Sequence, residues 1–90
     1  MVSGAYLEVT YRDGRPLAAY YYLPRRHGEK AYRTRRAEAG LLVDYTRGGR
    51  PIGIEITAPG ETSLVVINRL LKELGQKPLK RSDIAPLHAA

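Results

Sequence analysis

The sequence predicts an α+β domain: an antiparallel β-meander of four to five strands, one C-terminal helix packed on one face, and a short helical tail. Three observations carry that expectation. Apolar residues alternate with polar ones through much of residues 5–57, the period-two signature of strands with one buried face. Asp13-Gly14 and Arg47-Gly48-Gly49-Arg50 interrupt the alternation with residues suited to tight turns. Beyond Pro59-Gly60 the apolar spacing lengthens to that of an amphipathic helix. A chain of 90 residues buries only about two-thirds of the surface it exposes unfolded. One domain with a thin core is therefore expected, with sheet over 5–57, helix over about 63–74 and tail over 76–90.

The first strand, Ala5 to Tyr11, places Leu7 and Val9 on one face and Glu8 and Thr10 on the other. Asp13-Gly14 tolerates positive φ and leads back into Leu17 to Leu23. That second strand is apolar or aromatic on both faces, with Leu17, Ala19, Tyr21 and Leu23 against Ala18, Tyr20 and Tyr22. Such a strand belongs in the middle of a sheet that is covered twice. Pro24 ends it for lack of an amide hydrogen, and Arg25 to Glu29 reads as a polar loop. Ala31 to Glu38 has no apolar face, since Arg33, Arg35 and Ala37 alternate with Tyr32, Thr34 and Arg36; it suits an edge. Leu41 to Tyr45 and Pro51 to Thr57 form the clearest hairpin, with Ile52, Ile54 and Ile56 as the expected heart of the core.

Thr62 or Ser63 then caps a helix that carries Leu64, Ile67, Leu71 and Leu74 on one stripe, with Leu70 beside them. Gly75 stops it, and Arg69 and Lys72 suit the negative end of its dipole. Val65 and Val66 fall off the stripe. Ser82-Asp83 caps one further short turn, anchored by Ile84 and Leu87.

Val43-Asp44-Tyr45, the glycine turn and Arg50-Pro51-Ile52-Gly53-Ile54-Glu55-Ile56 resemble the signature of a family of small bacterial proteins known only as a domain of unknown function. The resemblance keeps the spacing of Asp44, Tyr45, Gly53 and Glu55 and covers roughly residues 5–58, with Tyr6, Leu7 and Tyr20-Tyr21-Tyr22 similar to the family's opening hairpin. The helix is similar to an extension in some members. Thr46-Arg47-Gly48-Gly49 replaces the family's acidic turn, so no role of that turn carries over. The resemblance implies a small β-sheet protein, in some settings an antitoxin-like partner of a small toxin, and it supplies no catalytic residue.

Composition narrows the chemistry. Without cysteine there are no disulfides, zinc–thiolate sites, thiol nucleophiles or iron–sulfur clusters. His27 lies in the polar loop and His88 in the tail, too far apart in sequence for a ligand pattern, and no carboxylate cluster suits calcium. No catalytic residue, metal or cofactor is assigned, and the chain is expected not to be an enzyme. Arg47-Gly48-Gly49-Arg50 joins two strands rather than a strand and a helix, so it is a hairpin turn and not a phosphate loop. Asp44 and Glu55 share the face opposite the isoleucines and are expected to form surface ion pairs with Arg33, Arg35, Arg47 or Arg50. No charged start precedes an apolar stretch, and no apolar run approaches the ~20 residues of a membrane span, so a cytoplasmic protein is expected.

Two functional readings follow. One helix covers only one face of the sheet, so Tyr20, Tyr22 and Leu42, with Val65 and Val66 off the helix stripe, are candidate contacts of a homodimer or a small protein partner. The net charge of +6 is concentrated near Arg25, Arg26, Lys30, Arg33, Arg35 and Arg36, with tyrosines close by. Arginines that meet phosphates and rings that stack on bases make single-stranded RNA or DNA the alternative ligand.

Overall fold

The computed structural model describes residues 2–38 and 40–88; the outermost residues of the expected domain and tail lie outside that range. Its strands are β1 (Val2–Ser3), β2 (Tyr6–Arg12), β3 (Arg15–Tyr22), β4 (Arg25–Arg26), β5 (Arg33–Arg36), β6 (Leu41–Tyr45) and β7 (Pro51–Ile56). A 3-10 turn at Pro59–Glu61 leads into helix α1 (Leu64–Glu73), and a 3-10 segment spans Arg81–His88. Five strands form one antiparallel sheet in the order β2-β3-β7-β6-β5, while β1 and β4 pair with each other. The α+β class and the antiparallel pairing are as the sequence predicts.

The strand order departs from a simple meander at one point. β5, β6 and β7 follow one another across the sheet, but β7 rather than β5 lies beside β3. Burial explains the choice. Ile52, Ile54 and Ile56 on β7 are at most 1% exposed, whereas every residue of β5 is exposed. The strand with the most apolar surface takes the centre, and the arginine-bearing strand takes the edge. The β1–β4 pair is an addition, since Arg25–Arg26 reads as loop from sequence.

Asp13 and Gly14 adopt φ of 52° and 77°, the left-handed geometry of a two-residue hairpin turn, and join β2 to β3. A register shift follows at Thr10/Tyr11, so Ala18 faces Thr10 while Pro16 faces Tyr11. Leu17 is the residue displaced by that irregularity. It is 52% exposed instead of joining Ala19, Tyr21 and Leu23 in the core. At the other hairpin, Thr46 closes the turn: its amide donates to Arg50 O, and its hydroxyl accepts from the Arg50 amide.

The core lies between the sheet and the C-terminal segments. Ala19, Tyr21, Leu41, Val43, Ile54 and Ile56 meet Ile67, Leu70 and Leu71 of α1 and Ile84 and Leu87 of the tail. Ser63 is the helix cap, its Oγ accepting from the Val66 amide. Thr62 is buried and donates to Ala58 O instead. Gly75, at φ 71°, follows the last turn. Asn68 holds the chain beyond the helix, donating to Leu79 O and accepting from the Leu79 amide.

Candidate interaction surface on the open sheet face

Alternation and register together define what the uncovered face displays. One row across the sheet reads Tyr6, Tyr22, Gly53, Asp44, Thr34. The next reads Glu8, Tyr20, Glu55, Leu42, Arg36. None of these ten residues belongs to the core cluster, whose members on these strands lie on the opposite face.

The first row is organised by a glycine. The Tyr20 ring leans across from its own row over Gly53, so closely that a Cβ there would lie 2.0 Å from the Tyr20 hydroxyl oxygen and 2.3 Å from Cζ. Only a residue without a side chain leaves that space. The ring reaches Asp44, to which the Tyr20 hydroxyl donates at 2.7 Å, and the Thr34 hydroxyl donates to the other oxygen of the same carboxylate. Tyr22 stacks on Tyr6 with ring centroids 4.3 Å apart, meets Tyr20 edge-on, and donates to Glu8.

Contrary to the sequence expectation, Asp44 is therefore not neutralised by arginine among the described residues. Its two oxygens are occupied by hydroxyls, and the ion pairs among the described residues are Arg50 with Glu29 and Arg69 with Glu38. Strand parity explains this outcome: Arg33 and Arg35 face Tyr45 and Val43 across the ladder, on the core side of β6, while Thr34 faces Asp44.

Burial, then the hydrogen bond to Asp44 and the charge of Asp44, hold the Tyr20 hydroxyl protonated far above the ordinary tyrosine range, against an opposing effect of Arg25. The sign of the linkage follows. The folded state binds this proton more tightly than the unfolded chain, whose tyrosines ionise near pH 10. The associated stability is complete below about pH 10 and is lost as pH rises toward the raised folded value. Tyr20→Phe is expected to flatten the alkaline fall in stability, read from urea unfolding at several pH values. An unchanged slope above about pH 10 would show that another group sets it.

The predicted contacts divide among different surfaces. Tyr20, Tyr22 and Leu42 stand together on the open face, half-buried at its centre. Val65 and Val66 lie on α1, across the sheet from them: Val65 is 69% exposed, and Val66 packs partly against the core. They cannot belong to the tyrosine patch.

Among the basic candidates, Arg25 is half-buried rather than free. It donates from Nη2 to Ile52 O at 2.7 Å, its guanidinium lies over the Tyr22 ring, and its Nε is buried without a hydrogen-bond partner. Arg26, Lys30, Arg33, Arg35 and Arg36 are exposed, Arg36 on the tyrosine face and Arg33 and Arg35 on the other. His27 is exposed, while the His88 ring shares a hydrogen bond with Thr62 O at 2.7 Å.

Sequence reasoning names none of Gly53, Thr34, Glu8 and Tyr6 among the candidate contacts of this face. The available signal was Gly53 itself, a glycine inside a strand of isoleucines, which marks a place where another group approaches the backbone. No helix among the described residues is long and apolar enough to cross a membrane. No protein-family model matches the chain, and neither does any curated protein or solved structure.

Proposed function

We propose that the chain is a non-catalytic self-associating module whose open sheet face packs on a second copy of itself. The observation that carries this reading is the row Glu8, Tyr20, Glu55, Leu42, Arg36, acidic at the β2 edge and basic at the β5 edge. β7 is the middle of the five strands, so a two-fold axis along it lays each end of the row on the opposite end of the copy. Arg36 then meets the second copy's Glu8, and Tyr20 meets its Leu42. Two sheets stacked in this way keep their strands roughly aligned, about 10 Å apart.

The likeness of Asp44, Gly53 and Glu55 to a family signature is consistent with the proposal, since all three residues lie on this face. The face measures about 24 Å across and about 17 Å along the strands, on the order of 400 Å² in projection. An interface of that size is at the small end of specific contacts, so micromolar dissociation is expected.

Sedimentation equilibrium with charge variants tests the contact. Arg36→Glu opposes like charges at two symmetric places and is expected to weaken the dimer about 5- to 30-fold, and adding Glu8→Arg should restore it. Glu55 lies near the axis and faces its own copy, so Glu55→Gln should tighten the dimer several-fold. A chain that stays monomeric to about 1 mM would overturn the proposal. A weaker association of Glu55→Gln would favour a cationic protein partner instead.

A further inference from the structure

The β5 edge of the sheet carries a second set of exposed groups that self-association does not use. Tyr32, immediately before β5, is 57% exposed, and the Arg47 guanidinium lies 4.5 Å from its ring centroid. Two separate hollows open along this edge, and the ring lines the first of them. One is lined in part by Lys30, Tyr32, Arg47 and Arg50, the other by Arg33, Arg35, Tyr45 and Gly49. Arg33 and Arg35 are two residues apart on one strand face, so their side chains start about 6.7 Å from each other along the edge.

None of Lys30, Arg33, Arg35 and Arg47 takes part in an ion pair among the described residues. The nearby acid, Glu29, is already engaged by Arg50 and by the Arg26 amide. Two uncommitted cations, Lys30 and Arg47, therefore share a hollow with the Tyr32 ring, and two more, Arg33 and Arg35, line the separate hollow at the same sheet edge. In the tyrosine patch, by contrast, the rings alternate with Glu8, Glu55 and Asp44.

We infer that this β5 edge binds single-stranded nucleic acid, with Tyr32 as the stacking platform for a base and Lys30, Arg33, Arg35 and Arg47 as the contacts to phosphate. A single strand is favoured over a duplex because a base can lie flat on an exposed ring only when it is unstacked from its neighbours. The charge of the edge supplies affinity without sequence preference. The site is distinct from the open-face rows, because Arg33 and Arg35 project from the other side of β5 and Tyr32 and Arg47 lie beyond its end.

Fluorescence anisotropy with a labelled oligouridine of about ten nucleotides tests the inference. Four phosphate contacts predict a slope of log K on log salt of about −2.8, so binding should weaken roughly 50-fold between about 50 and 200 mM salt. Arg33→Ala with Arg35→Ala should reduce that slope by about half. Tyr32→Ala should weaken binding about 5- to 100-fold while leaving the slope unchanged. These side chains are exposed, so thermal melts of the variants should match the parent. Glu55→Gln should leave oligonucleotide binding unchanged, which separates this site from self-association. Absence of binding at about 50 mM salt, or a Tyr32→Ala variant that binds like the parent, overturns the inference. So does equal affinity for a duplex or for polyglutamate, which would reduce the edge to a generic charged surface or a protein contact.

Discussion

Gly53→Ala is expected to cost about 2–3 kcal/mol of stability and to lower the melting temperature by roughly 10–20 °C. The reason is steric and local. The new Cβ would lie 2.0 Å from the Tyr20 hydroxyl oxygen and 2.5 Å from Cε2, so the ring must leave its place over β7. Leaving breaks the bond from Tyr20 to Asp44 and disturbs the edge-on contact with Tyr22. Overpacking costs about 1–3 kcal/mol, and a hydrogen bond to a charged acceptor contributes about 1.5–3 kcal/mol. Against these stands a gain of only about 0.5–1 kcal/mol from replacing glycine by alanine in a strand.

The assignment to Tyr20 can be isolated. Tyr20→Ala removes the obstructing ring, and in that background Gly53→Ala should be close to neutral. A coupling of about 2 kcal/mol between the two positions, measured by a double-mutant cycle in urea, would locate the conflict at this contact. Independent, additive costs would show that Gly53 serves another purpose.

This contact also marks where the sequence stops being legible. The spacing of Ile52, Ile54 and Ile56, the Asp13-Gly14 turn and the Leu64, Ile67, Leu71 stripe are local patterns, and each reports its element directly. That Tyr20 crosses over Gly53 depends on β3 pairing with β7, two strands with β4, β5 and β6 between them in the chain. No local pattern fixes such a pairing, or its register. The same limit hides Arg25 behind Tyr22 and the placement of β7 in the centre of the sheet. Strand parity, however, is readable in β5. It already assigns Arg33 and Arg35 to one face and Thr34 and Arg36 to the other.

That separation bears on both proposals. A single surface displaying arginines and tyrosines together would suit one nucleic-acid platform, but the strands distribute them over two. Tyr6, Tyr20 and Tyr22 share their face with three carboxylates and Arg36, a mixture suited to a self-complementary protein contact. The cations left over line the β5 edge, Lys30 and Arg47 beside Tyr32, where the nearby acid is already paired. A chain of net charge +6 thus confines its carboxylate-rich aromatic face to one side of a thin sheet.

Leu87→Ala is expected to cost about 2–4 kcal/mol and to lower the melting temperature by roughly 10–25 °C. Leu87 has no exposed surface, and Ile84 is 2% exposed. Both lie in the core cluster with Tyr21, Ile54 and Leu71. The segment that carries them is an eight-residue 3-10 helix containing Pro86, much longer than such helices run on their own hydrogen bonding. Its conformation must therefore come from its anchors. Beyond the two apolar side chains these are Tyr11, which donates to Pro86 O, the His88 contact with Thr62 O, and the Lys80 amide bonded to Asp83. Removing the Leu87 side chain leaves a void under the sheet, and the tail either collapses into it or detaches. Hydrogen exchange distinguishes the two. The Asp83 amide, bonded to Lys80 O at 3.0 Å, should lose most of its protection if the tail detaches, while amides of β7 report only the global loss. A loss below about 1 kcal/mol, with Asp83 still protected, would mean that the sheet and α1 hold the core without the tail.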